Sequence, residues 1–140
     1  MKPDELMIGD WVYNTFHKEN ICITPYDFFV HGHDEYGDQY LNCSCKPCLG
    51  RDLEPIPLTE EFFEKNGFKK VDYDYLEPNL LFESDDKRIQ ITDVNNSGDG
   101  YWYVHVDNED YDTIGRCDVK YVHQFQQLLR LCGYEMDVVM

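Results

Sequence analysis

Apolar and polar residues alternate along most of this chain, and twice the period changes from two to that of a helix. In Trp11-Val12-Tyr13-Asn14-Thr15-Phe16, the residues Val12, Asn14 and Phe16 share one face, opposite Trp11, Tyr13 and Thr15. The pattern predicts a strand there, a turn over Lys18–Asn20 and a second strand over Ile21–Thr24, stopped by Pro25. Tyr26–His31 continues as a strand or bend. Asp34–Asp38 has the composition of a hairpin turn, with Gln39–Cys43 as its return strand. Short strands at these intervals point to a small SH3-like β-barrel or a strongly bent sheet.

The period breaks at Leu53–Phe68. Pro55 and Pro57 lack amide donors and hold the residues before them extended, which argues against regular structure there. A short helix then carries both of its ends in its sequence. Thr59 can cap the N-terminus, Glu60 and Glu61 suit the positive end of the dipole, and Leu58 and Phe63 have staple spacing. Gly67 fits the left-handed position after the helix, and Phe68 can fold back on Phe63.

Alternation returns afterwards. Val71, Tyr73 and Tyr75 share a face, Leu80–Glu83 leads into the polar turn Ser84–Lys87, and Ile89, Ile91 and Asp93 oppose Gln90, Thr92 and Val94. Asn95–Gly100 reads as a loop and Tyr101–Asp107 as a strand, with a short edge strand over Asp112–Arg116. These hairpin-length connections predict an antiparallel meander of three to five strands. The final helix places Val122, Phe125, Leu128, Leu129 and Cys132 on one face. Asp118 is its candidate cap, and Gly133 with Tyr134 forms its ending. The expected fold class is therefore α+β. Residues 1–57 form a small all-β unit and residues 58–140 an antiparallel sheet backed by two helices, packed together as one body.

Charge narrows the function classes. With 28 acidic and 12 basic residues the net charge is −16, which repels phosphate backbones and anionic membranes. Nucleic-acid and membrane binding are disfavoured. An acidic mimic of DNA that blocks a basic protein remains an alternative. The start Met1–Leu6 lacks a secretory pattern, and no apolar run approaches the ~18 residues of a membrane span. A cytoplasmic location with reduced thiols is expected.

Cys43-Ser44-Cys45-Lys46-Pro47-Cys48 is the most chemically suggestive motif. Cys45 and Cys48 have the spacing at which two thiolates reach one tetrahedral metal. Cys43 could add a third ligand, with His31, His33 or Cys22 completing a zinc set; without a second C-x-x-C, ordinary loop cysteines are the favoured reading over a bound metal or a redox-active pair. His105 and His123 fall on a strand and a helix expected to pack together. The carboxylate clusters lie in turns, where solvation accounts for them. No nucleophile elbow, phosphate-cradling glycine loop or H-E-x-x-H occurs, so the reading is non-enzymatic and without a cofactor. Trp11, Tyr101, Trp102 and Tyr103 are candidate contact residues for an unidentified protein partner, although core positions would also explain them. The oligomeric state is left open.

Three blocks taken together, Glu5–Val12, Pro55–Glu61 and Lys120–Gln126, resemble a family of small proteins with no assigned activity. That family is found in Bacteroides-type gut bacteria and their prophages or mobile elements. The resemblance implies a bacterial, cytoplasmic setting linked to such elements; the binding or accessory role is the reading of the chain's own residues. It transfers no catalytic residue. Tyr26–Leu49, with the cysteine cluster, departs from the family pattern.

Overall fold

A computed structural model of the protein describes residues 5–24, 30–33, 39–43, 46–49, 53–71, 81–93 and 100–140; for 30–33, 39–43 and 46–49 it describes the backbone alone. The chain is α+β and divides into two units, Met1–Ile56 and Pro57–Met140. Among the described residues no helix is long and apolar enough to cross a membrane.

The first unit contains β1 (Trp11–Asn14), β2 (Glu19–Cys22), β3 (Val30–His33), β4 (Gln39–Cys43), β5 (Lys46–Leu49) and β6 (Leu53–Pro55). They form two open antiparallel sheets, ordered β2-β1-β6 and β3-β4-β5. No closed barrel forms among the described residues, and the bent-sheet form of the expectation is the one that fits. Leu6, Val12, Ile21, Ile23 and Leu53 make the core of the β1 sheet.

Three local expectations change here. Strand β1 stops at Asn14, because its buried carboxamide oxygen accepts the N–H groups of Phe16 and His17, each at 3.0 Å. This side-chain turn replaces the next ladder bonds. The reversal therefore occupies Thr15–Lys18, with Lys18 at φ +55°, and Glu19 and Asn20 belong to β2. Phe16, expected beside Val12, is 72% exposed in the turn. Residues Leu53–Pro55 pair with β1 despite the proline, which an edge strand tolerates at its end. Lys46–Leu49, which overlaps the cysteine motif read as a loop, is likewise an edge strand on β4.

The second unit contains α1 (Glu60–Lys65), β7 (Lys69–Val71), β8 (Leu81–Glu83), β9 (Ile89–Asp93), β10 (Trp102–Asp107), β11 (Thr113–Val119) and α2 (Val122–Leu131). Its five strands form the expected meander, ordered β11-β10-β9-β8-β7. The expected positions Tyr73, Tyr75, Leu80 and Asn95 to Asp99 lie outside the described residues.

Helix α1 is built as its sequence predicts. Thr59 Oγ1 accepts from Phe62 N at 3.2 Å, a cap worth about 1 kcal/mol. At the other end Phe68 N donates to Phe63 O at 3.0 Å and Gly67 N to Glu64 O at 3.2 Å, with Gly67 at φ +84°. That is the Schellman pattern, and the Phe63 and Phe68 rings meet at 6.0 Å. Helix α2 ends the same way: Tyr134 N reaches Leu129 O and Gly133 N reaches Arg130 O, with Gly133 at φ +67°.

The start of α2 differs from expectation. Asp118 stays in β11, and the Gln124 carboxamide oxygen accepts from Tyr121 N at 3.2 Å and Lys120 N at 3.0 Å. The strand extends to Val119 because Trp102–Val106 offers a pairing partner to each residue from Gly115 to Val119.

Both helices cover one face of the sheet. Phe63 is fully buried, with ring centroids of Trp102, Phe82, Phe62, Phe125 and Phe68 at 4.9 to 6.0 Å. Val104, Val106, Ile89 and Ile91 supply the sheet side of this core.

Candidate functional site

Beyond α2 the chain turns at Gly133, and residues 134–140 belong to no helix or strand. Tyr134, Met136, Val138 and Met140 are half-buried, whereas Glu135, Asp137 and Val139 are exposed. This period of two comes without a ladder strand.

Asn66, at the C-terminal end of α1, holds the far part of the segment. Its Nδ2 donates to Val139 O at 2.9 Å and its Oδ1 accepts from Val139 N at 2.8 Å. The second Nδ2 hydrogen goes to Phe62 O at 2.9 Å, which fixes the carboxamide plane. A carboxamide has the donor and acceptor of a peptide group, so Asn66 reads Val139 by its backbone and not by its side chain. Lys65 Nζ donates to Met140 O.

Tyr134 holds the near part. Its hydroxyl donates to Asp86 Oδ2 at 3.0 Å, and the Arg88 guanidinium lies 5.0 Å from its ring centre. Asp86 is the centre of the β8–β9 turn: Oδ1 accepts from Ser84 Oγ at 2.7 Å and from Arg88 N at 3.1 Å. Partial burial would raise the Asp86 pKa. The Ser84, Arg88 and Tyr134 donors, with the Arg88 charge, outweigh it and hold the carboxyl below its ordinary value. Burial, and then the Asp86 carboxylate, push the Tyr134 phenol up.

Between these anchors the segment is flanked by two cavities. One of about 450 Å³ is lined by Gln126, Leu129, Arg130, Tyr134, Met136 and Val138. The other, about 200 Å³, includes Asn66, Phe68, Ser84, Asp85 and Met136. Residues 134–140 thus lie in a groove between α2 on one side and the α1 end with the β8–β9 turn on the other.

A second polar cluster sits on the sheet face opposite the helices. His105 Nε2 is 2.8 Å from Asp107 Oδ1 and 2.9 Å from Thr113 Oγ1. Both contacts converge on one nitrogen. A base that relays a proton from a hydroxyl to a carboxylate needs one partner on each ring nitrogen, so this is not triad geometry. Arg88 Nε donates to Asp107 O at 3.0 Å and ties the cluster to the β8–β9 turn.

His105 and His123 do not meet. His105 alternates with the inward Val104 and Val106, and His123 is buried on α2 with its ring 5.9 Å from that of Tyr121. Of the aromatic candidates, Trp102 is in the core, its indole donating to Leu58 O at 3.3 Å. Tyr101 is 45% exposed and carries the Lys120 ammonium 5.1 Å from its ring. Tyr103 and Trp11 are half-buried.

Cys45 lies outside the described residues, as do the side chains of Cys43, Cys48 and His31. The backbone register sets Cys48 opposite Leu41 and Cys43 opposite Lys46. Among the described residues no three metal-ligating side chains converge.

The strap-and-groove arrangement escaped the sequence reading. The available signal was the alternation Tyr134-Glu135-Met136-Asp137-Val138 after a helix-ending glycine. Comparison with protein-family models, curated proteins and solved structures gave no match. The functional reading therefore rests on these residues and their geometry.

Proposed function

We propose that this is a non-enzymatic, protein-binding accessory protein whose second unit takes an extended peptide segment into the groove that residues 134–140 fill. The observation that carries the reading is the two-point pairing of the Asn66 carboxamide with Val139 N and O. Such recognition holds any extended segment by its backbone, and flanking pockets select alternate side chains. The partner is an unidentified protein offering apolar residues at every second position, as Tyr134, Met136 and Val138 do. The similarity of Glu5–Val12, Pro55–Glu61 and Lys120–Gln126 to proteins of bacterial mobile elements supports a cytoplasmic, prophage-linked setting. Two other readings rest on sequence features alone: a DNA mimic on the charge of −16, and a zinc module on Cys43, Cys45 and Cys48.

Val139→Pro removes the N–H that Asn66 accepts and loosens the strap. A fluorescent peptide with the sequence of residues 134–140 should bind this variant and bind the wild-type chain weakly. Adding Asn66→Ala should abolish the binding. Peptide that binds neither the wild type nor the Val139→Pro chain refutes the reading.

A further inference from the structure

Strand β11 is the longest described strand and lies at an edge of the five-stranded sheet. Thr113, Ile114, Arg116, Cys117 and Asp118 are exposed along it, and among the described residues no strand pairs with its outer edge. The nearest other backbone pairing, Leu58 N to Lys120 O, falls past the strand's last residue. The strand has no proline to block addition of another strand. Its row of N–H and C=O groups is a template for one.

The residue order selects the occupant. An antiparallel copy aligned with Cys117 opposite Cys117 sets Arg116 opposite Asp118, and the two-fold axis repeats the pair. An antiparallel ladder can be centred on a residue of either hydrogen-bonding class, so this register is open whichever way Cys117 points its amide. Centring on Arg116 would oppose two guanidiniums, and centring on Asp118 two carboxylates. Centring on Gly115 sets Arg116 opposite Ile114 and leaves the charges unmatched.

Apolar exposure collects at the same edge. Ile114 is 44% exposed on the strand and Leu131 81% exposed on α2. Leu128 and Cys132 lie directly over Gly115, and Leu131 is one turn from Leu128 on the same flank of the helix. Two copies joined at β11 would bring these flanks together above one continuous sheet.

We propose that β11 is a self-association edge, taking the β11 of a second copy antiparallel and centred on Cys117. This goes beyond the peptide groove, which uses other residues. The charge of −16 on each chain opposes approach at low salt; at physiological ionic strength the screening length is ~8 Å, so the adjacent Arg116–Asp118 pairs act while distant charges fade.

Sedimentation velocity of the full chain at physiological salt tests this. The wild type should pass from monomer to dimer with rising concentration. Arg116→Asp and Asp118→Arg each turn two attractive pairs into two repulsive ones and should weaken the dimer roughly tenfold to a hundredfold. Mixing the two variants restores complementary pairs, so an equimolar mixture should dimerise like the wild type, as should the chain carrying both changes. That recovery also shows that the single variants fold. In a chain whose other five cysteines are serine, a short bismaleimide should link the dimer through Cys117 and fail with Cys117→Ser. A wild type and a mixture that both stay monomeric overturn the proposal, as do single variants that dimerise unchanged or cross-linking that persists in Cys117→Ser.

Discussion

Replacing Phe63 by alanine tests the account of the second unit's core. The ring is fully buried between α1, the sheet and α2, with five aromatic rings within 6.0 Å of its centre. Core Phe→Ala changes cost about 3–5 kcal/mol, and the ring contacts place this one in the upper half of that range. Domains of this size are stable by only about 5–15 kcal/mol. With a urea slope of about 2 kcal/mol/M, the midpoint should fall by roughly 2 M. The assay is urea unfolding followed by Trp102 fluorescence in a Trp11→Phe background, because Trp102 is 4.9 Å from Phe63. Should the alanine variant not fold, Phe63→Leu should still fold with a loss of about 1–2 kcal/mol. Phe16→Ala, exposed in the β1–β2 turn, should stay within about 0.5 kcal/mol of wild type. A midpoint shift below about 0.5 M for Phe63→Ala at unchanged slope would refute the packing described.

A Cβ at Gly115 would run into Cys132 Sγ, so Gly115→Ala should cost about 1–3 kcal/mol and Cys132→Ala should recover most of it; an equal cost in both backgrounds, measured by urea unfolding, contradicts the close approach of α2 and β11. Asp86 has a lowered folded pKa, so its contribution to stability is complete above the unfolded carboxyl value and lost as pH falls through the folded one. Tyr134 has a raised pKa, so its contribution is complete below the ordinary phenol value and lost as pH rises through the folded one. Tyr134→Phe should therefore flatten the alkaline loss and soften the acid loss in a stability profile from pH 2 to pH 12, estimated from the two ordinary values of about 4 and 10. A profile unchanged by the substitution removes the Tyr134–Asp86 link.

Some features of this protein are settled within a few residues of chain and were legible in its sequence. Thr59 caps α1 three residues away, and Gly67-Phe68 and Gly133-Tyr134 close their helices with bonds spanning three to five residues. Alternation over Ile89–Asp93 and Trp102–Asp107 marked the buried face because strand period is a local property. Tertiary structure decided what depends on partners distant in sequence. Leu53–Pro55 becomes a strand because β1 offers an edge, and β11 runs to Val119 because β10 is there to pair with it. Asp118 loses the cap of α2 to Gln124 for the same reason. The groove shows the division most clearly. Asn66 carries no signal in the sequence beyond its place before the helix-ending Gly67, yet its carboxamide closes on Val139, 73 residues along the chain. Periodicity carries no information about that meeting, because backbone recognition at Asn66 leaves the side chain of Val139 unread.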